Sequence, residues 1–556
     1  MGMREESLAM PGHREGLMRM QTDLATIEVV KHGLIYVSEE MGVSLRKSAF
    51  SPNIRERADH SCAILDPEER TVGQAEQIPV HIGSFPVGLR NTLAYLRTKG
   101  VQPAEGEMYI VNDPYIAGTH LNDIVLIRPV FLKGELLGYV ANKAHHVDVG
   151  GMVPASISPR ATELYQEGLV LPPLRIMARG RIDPELLGLL QANSRVPDLT
   201  RGDLRAQVAA NLLGERRLLG MAAPIGLQNF KAICDAILDQ THRIALREYT
   251  KLPEGRWHAV DYLELDEELL PVRVSVALSP RGVEVDFAGT RRQGPSPINA
   301  VLGVTRAAVT FAIKTLLPPE LPLNDGFDRT VAVTAPEGTV VNPVKPAAVA
   351  AGNLETSQRI VDVIYKALSK ALPSRIPAAS HGSMNNLMLG GVDPKLGRSW
   401  AFYETIGGGQ GARPGSDGVS GVQVNMTNTL NTPIEVMEHY YPLIFVSYHL
   451  REGTGGSGTW RGGDGIERAF RAKAVISVSV LGERSRVRPW GLRGGSPGRP
   501  SEYLVRRLEG GSEMLRAKDS TTLRPADTLV IRTAGGGGIG KPRKARSRRR
   551  GHAGRG

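Results

Sequence analysis

His120 and Asp123 in Gly118-Thr119-His120-Leu121-Asn122-Asp123, and His145, His146 and Asp148 in His145-His146-Val147-Asp148-Val149-Gly150-Gly151, place imidazoles and carboxylates at the open end of one predicted β-hairpin. The apolar runs 124–131 and 137–142 are its strands, and Lys133-Gly134 is its turn. A turn centred there pairs residues whose numbers sum to about 268, which sets Asp123 opposite His145 and His120 opposite Asp148. Imidazole and carboxylate together suit Mn, Zn or Fe, whereas an all-oxygen set suits Mg or Ca. His120, Asp123 and His145 are the core metal-ligand candidates, with Asp148 as the fourth. His146 competes for a ligand or acid/base role, and the surroundings of His120 for the proton a leaving group needs.

A single His or Asp at a strand end is usually a cap or a turn residue, and any one of these four reads that way alone. Four converging on one hairpin end outweigh that reading. Strand alternation sends His120 and Asp123 to opposite faces, so one of them must sit on irregular backbone, which Gly118 and Asn122 permit. Asp59, His60 and His81 are weaker candidates that taken singly favour structural roles. Asn353, Glu355, Ser357 and Arg359 precede a predicted helix and either cap it or face a substrate. Gly407-Gly408-Gly409-Gln410-Gly411 is followed by no Gly-Lys-Ser/Thr, so the Walker phosphate loop is missing. The glycines between 453 and 465 read first as turns and bulges.

The elements that must position these residues alternate without regular βαβ order. Helical spacing runs from 23 to 45, and again over 206–219 and 227–249, where Gly220, Pro224 and Gly226 are expected to break a long helical hairpin. Further helices are predicted at 304–317 and 360–371. Strand patterns occur at 61–65, 108–111, 272–278, 282–287, 475–481 and 528–532. The fold class expected is multi-domain α+β with mixed or antiparallel sheets, long helices and glycine-rich loops. The divisions expected are a flexible segment 1–15, an α+β metal-binding region 16–200, the helical hairpin 201–252, a glycine-rich α+β region 253–540 and a basic disordered tail 541–556.

The 556 residues carry 41% hydrophobic and 22% charged residues, a globular balance. The net charge of +11 looks like a nucleic-acid signal. Eight Lys and Arg and no acid lie between 541 and 556, however, so the remainder is nearly balanced and nucleic acid is not the expected partner. Two distant cysteines support neither a disulfide framework nor a thiolate zinc site. With no apolar run of about 18 residues and no signal-like N-terminus, the chain reads as cytoplasmic and without a membrane partner.

Asp113-Pro114-Tyr115, the two His/Asp motifs above, the segment holding Asn353, Glu355 and Arg359, Asn431-Thr432-Pro433-Ile434-Glu435 and the 455–465 glycines occur in an order that resembles the hydantoinase B/oxoprolinase family. The resemblance spans roughly residues 16–540 and extends to the corresponding subunits of acetone and acetophenone carboxylases. It implies a metal at His120, Asp123 and His145, with Asp148 aligned less securely. It also implies a separate A-type partner of actin-like ATPase fold that uses ATP to phosphorylate the substrate, in a hetero-oligomer. The implied reaction is opening of a cyclic amide or imide, of the hydantoin, N-methylhydantoin or 5-oxoproline type, by attack of water on its activated ring. Ketone carboxylation is the alternative, and a non-catalytic assembly or nucleic-acid-associated role is the reading from another class.

Overall fold

The computed structural model describes residues 23–75 and 77–542. The expectations for 1–15 and for the tail past 542 lie outside the described residues.

A seven-stranded, wholly antiparallel sheet forms the first layer. Its strands are β1 (His60–Leu65), β2 (Thr71–Gln74), β3 (Met108–Val111), β4 (Asp123–Leu132), β5 (Glu135–His145), β6 (Leu174–Ala178) and β7 (Arg181–Ile182), in the order β2-β1-β5-β4-β3-β6-β7. Lys133 and Gly134 both have positive φ, 54° and 82°, the backbone a two-residue hairpin turn demands. Beside this turn Leu132 pairs with Glu135, and a bulge between Val130 and Phe131 shifts the ladder by one residue so that Asp123 pairs with His145.

Helices cover both faces of this sheet. On one face Val30, Leu34, Val37 and Met41 of Leu24–Ser48, with Ile233, Ile237 and Leu238 of Leu227–Tyr249, close over Cys62, Ile64, Val130 and Val140. On the other, Phe85, Leu89, Leu93 and Leu96 of Ser84–Thr98 close over Leu65, Val111, Val125 and Ile127. Strand residues buried on both faces cannot alternate with polar ones, which is why these runs are almost continuously apolar. The helix Pro197–Ile225 runs straight through Gly220 and Pro224, and only Gly226, at φ 82°, breaks it. Pro224 removes a donor and crowds the carbonyl of residue 220, but it stands one residue from the end, so little helix remains for it to disrupt. The expected boundary at 200/201 falls inside this helix.

A second sheet, Gly255–Leu265, Glu268–Ser279, Gly282–Asp286 and Val331–Thr334, is antiparallel except for its last pair. Helices Leu302–Lys314 and Ser357–Leu368 pack on it within the same apolar core that reaches under the first sheet. Two further antiparallel sheets stack face to face. One holds Asn386–Val392, Ser399–Glu404, Ile476–Leu481 and Lys518–Leu523; the other holds Leu443–Arg451, Gly465–Ala472, Glu502–Arg506, Ser512–Leu515 and Thr528–Arg532. Leu389, Phe402 and Val478 of the first meet Phe470, Leu529 and Ile531 of the second.

The glycine clusters are more than turns. Backbone lies directly on backbone: Gly463 N–H donates to Gln410 O at 2.9 Å, Gly536 N–H to Gly463 O at 2.9 Å, and Gly456 N–H to Gly536 O at 2.8 Å. A Cβ on Gly463 would fall well inside contact distance of Val419 O, and one on Gly536 inside that of Gln410 O. Main chain cannot yield as a side chain can. Gly463→Ala is therefore expected to cost more than about 3 kcal/mol, above the usual range for overpacking. Thermal unfolding checks it, with Gly453→Ala as control, since nothing lies within 4 Å of a Cβ there and only its φ of 79° opposes the change.

Candidate metal centre

β4 begins at Asp123 and β5 ends at His145, so the last rung of the ladder carries a carboxylate and an imidazole side by side. His120 reaches them because the chain before β4 is not extended. Pro114–Ala117 is one helical turn, Gly118 ends it at φ 83°, and Asp123 N–H bonds back to His120 O at 3.1 Å. Asn122 holds this loop through its side-chain N–H groups to His146 O and Ala155 O.

His120, Asp123 and His145 offer three ligand atoms lying within 4.8 Å of one another, all buried. His120 Nδ1 lies 3.4 Å from Asp123 Oδ2, His145 Nδ1 lies 3.6 Å from Asp123 Oδ1, and the two rings approach at 3.2 Å, Nε2 to Nδ1. His120 Nδ1, His145 Nε2 and both Asp123 oxygens accept or donate no aligned hydrogen bond. Buried polar atoms without partners cost about 1–3 kcal/mol each, and His120 Nδ1 beside an unpartnered Asp123 carboxylate, with His145 turning Nδ1 toward the same carboxylate, fits a divalent cation as common partner. Burial holds the His120 imidazole at about 3 against the opposing pull of Asp123, so the ring is neutral and one of its nitrogens keeps a lone pair for a ligand bond. Burial alone would raise the Asp123 carboxyl, but the histidine rings packed around it outweigh that and hold it well below the usual carboxylate range.

Two groups that look structural in the sequence complete the ring. Asp59 brings Oδ2 to 3.9 Å from His145 Nδ1, and His81 brings Nε2 to 3.3 Å from Asp123 Oδ2. Asp59 comes from the turn before β1, which runs beside β5, and His81 from a short helical turn before Ser84–Thr98. Their only sequence signal is being His or Asp. Tyr403 stacks on His145 with ring centres 4.5 Å apart, and the buried Arg57 guanidinium lies 4.8 Å from the centre of the Tyr403 ring. Arg57 also donates to Tyr403 O, Thr405 Oγ1 and Thr429 Oγ1, tying the first sheet to the loop 405–432.

The cavity these groups share holds about 20 Å³, room for an ion and a water rather than a ring. Asn353 lines it and leaves its Oδ1 unpartnered. Asn353 sits in the π-helical stretch Gly352–Thr356, the kind of widened turn that turns a side chain out of the helical row.

The other expected residues go elsewhere. Asp148 is not opposite His120, because the ladder stops at Asp123–His145 and the chain turns away. Its oxygens accept from Gly150 N–H, Ala155 N–H and Arg195 N–H, and Arg195 Nη1 pairs with it at 3.1 Å, a full complement that leaves nothing for a metal. His146 turns to Gln207, Nε2 to Oε1 2.9 Å, and does not line the cavity. Arg359 is fully buried in an ion network with Asp261, Asp362 and Glu483, and Glu355 accepts from Met384 N–H and Asn386 Nδ2. Neither lines the cavity.

Burial, reinforced by the neighbouring Glu483, pushes the Glu355 carboxyl from 4.5 up to about 8. A raised acid binds its proton more tightly folded than unfolded, so this contribution is complete below about 4.5 and is lost as pH rises towards about 8, at about 1.4 kcal/mol per pH unit. Glu355→Gln keeps the neutral form at every pH. Its unfolding free energy should gain on the wild type steadily between pH 5 and 8, and a constant difference across that range would contradict the assignment.

Together the fold and the geometry describe a multi-sheet α+β protein with a buried cluster of two histidines and one aspartate at a hairpin end that could hold a metal ion. The family model for hydantoinase B/oxoprolinase matches residues 23–542, and the chain belongs to that family. An uncharacterized protein of Methanocaldococcus jannaschii is 47% identical, covering 94% of this chain and 91% of that protein. The 5-oxoprolinase of Dictyostelium discoideum is 32% identical over 95% of this chain, which spans only 41% of that longer protein. Among solved structures, the ATP-dependent caprolactamase from Pseudomonas jessenii superposes with a TM-score of 0.87 at 26% identity, covering 94% of this chain and 92% of the other. An acetone carboxylase superposes at 0.85 with 18% identity, a likeness of fold. No helix among the described residues is long and apolar enough to cross a membrane.

Proposed function

We propose that this chain is the ring-opening subunit of an ATP-dependent amidohydrolase acting on a cyclic amide or imide of the hydantoin, N-methylhydantoin or 5-oxoproline type. Mn, Zn or Fe is held by His120, Asp123 and His145, with Asp59 within reach as a further oxygen donor. The observation that carries this reading is the cluster of unpartnered donor atoms in a chain matched along its length to the family. The B-type component of a putative D-/L-hydantoinase from a Pseudomonas species, 29% identical over 92% of its own length, supports a chain that works as one part of an assembly. ATP is assigned to a separate A-type partner of actin-like ATPase fold, as the family membership implies.

A divalent cation bound here supplies Lewis acidity and lowers the pKa of water. The chain's own residues do the rest. Asn353 Oδ1 offers an acceptor to a ring N–H, Thr405, Thr427 and Thr429 present hydroxyls, and Ile78, Val80, Leu354, Met384 and Met426 keep bulk water out. The walls must part to admit a ring, since the cavity holds about 20 Å³. Glu355 and Arg359 hold the Asn353 segment and the core behind it rather than the substrate, and no step is assigned to His146.

The test is reconstitution with the A-type partner, ATP and a panel of lactams and hydantoins. Substrate-dependent ADP release with ring-opened product, unchanged when bicarbonate is removed, is the expected result. ADP release that requires bicarbonate and a ketone would instead establish carboxylation, which the acetone carboxylase likeness keeps in view.

A further inference from the structure

His81 is drawn into the centre by two independent constraints, although nothing in the reading above gives it a role. Its side chain is held by Ser61 of β1, Oγ to Nδ1 at 2.9 Å. Its backbone carbonyl accepts from Ser84 Oγ at 2.6 Å, and Ser84 Oγ in turn accepts from Lys143 Nζ at 2.8 Å, from β5. All four groups are buried, none more than 3% exposed.

The facing carboxylate favours one tautomer. Nε2 looks at Asp123 Oδ2 from 3.3 Å, where a carboxylate repels a lone pair and accepts an N–H, so the ring proton belongs on Nε2. Nδ1 is then an acceptor for the Ser61 hydroxyl at 2.9 Å, whose oxygen also accepts the Ile78 N–H at 3.3 Å. A ring that presents N–H to a carboxylate has no lone pair on that atom to give a metal. Orienting groups of this kind fix how a ligand carboxylate meets its ion.

We infer that His81, set by Ser61, is a positioning residue for the cation site: its Nε2–H holds Asp123 Oδ2 and leaves Oδ1 to the ion, so that Asp123 binds through one oxygen. This rests on the metal reading of the centre. Nε2 and Oδ2 stand 3.3 Å apart without the alignment of a hydrogen bond, and the positioning role requires this contact to close when a cation is bound.

The test is cation affinity by equilibrium titration of Mn, Zn and Co into the full chain, with the Co absorption spectrum as a reporter of coordination. Circular dichroism shows each variant folded. His81→Ala should weaken binding about 10–100-fold while keeping one ion per chain, the usual scale for a group that orients a ligand. His81→Gln, which restores an N–H near the place of Nε2, should recover most of that loss, and Ser61→Ala, which frees the tautomer, should fall between wild type and His81→Ala. The Co spectrum of His81→Ala should shift, as two-oxygen binding by Asp123 becomes possible. Unchanged affinity in His81→Ala, or a loss that His81→Gln does not repair, overturns the inference and leaves the metal reading intact. A wild-type chain that binds no cation overturns both.

Discussion

Alanine in place of His120, Asp123 or His145 should leave the purified chain without stoichiometric metal and lower ring-opening turnover by about 10³-fold, the scale of the several kcal/mol a Lewis-acidic cation contributes. The Asp123 variant should not be unstable. It removes a buried carboxylate whose two oxygens have no aligned hydrogen-bond partner, so in the presence of chelator its unfolding midpoint should equal or exceed the wild type's. Function and stability then move in opposite directions, the pattern of groups retained for chemistry at a cost in stability. Plasma mass spectrometry, a turnover assay with the A-type partner and a thermal scan in chelator read the three quantities. Metal that persists in all three variants would sink the assignment of the centre.

The second large effect lies outside the centre. Arg359→Met is expected to lose about 3–5 kcal/mol, because it strips the countercharge from Asp261, Asp362 and Glu483 in a place water does not reach. Arg484 also pairs with Asp261 and Asp362, and Lys518 with Glu483, so the loss propagates across the junction of the second and third sheets. A substrate-binding arginine would behave otherwise: its loss would raise KM and leave the unfolding midpoint in place. The variant that folds should show the wild-type KM and a midpoint lower by about 3–5 °C, the shift that this loss produces in a chain of this length.

Asn353, Glu355 and Arg359 lie within one short segment and are alike to a sequence reader, being polar residues ahead of a helix. The π-helical stretch turns Asn353 into the cavity while Glu355 and Arg359 point into the core, and no residue type signals that split. Asp148 and Asp123 are similarly alike on paper. What separates them is Arg195, brought beside Asp148 from 47 positions along the chain to occupy its oxygens.

The hairpin was legible because both of its determinants are local. A Lys-Gly turn places the hairpin and sets its first rungs, Leu132 with Glu135 and Phe131 with Leu136, and a bulge between Val130 and Phe131 then shifts the register by one residue so that Asp123 faces His145. Apolar periodicity likewise determined the helices Leu24–Ser48 and Leu227–Tyr249 and the existence of several sheets. By itself, then, the sequence determined the pair at the ladder's end, the irregular backbone that brings His120 to it, and the α+β class. Tertiary structure alone decided the rest: that Asp59 and His81 close the ring, that Asp148 and His146 leave it, and that the glycine clusters form a backbone-packed block. Those outcomes depend on which segments, tens to hundreds of residues apart, are pressed together by burial of their apolar faces, and a polar side chain's role follows from the neighbours that burial supplies.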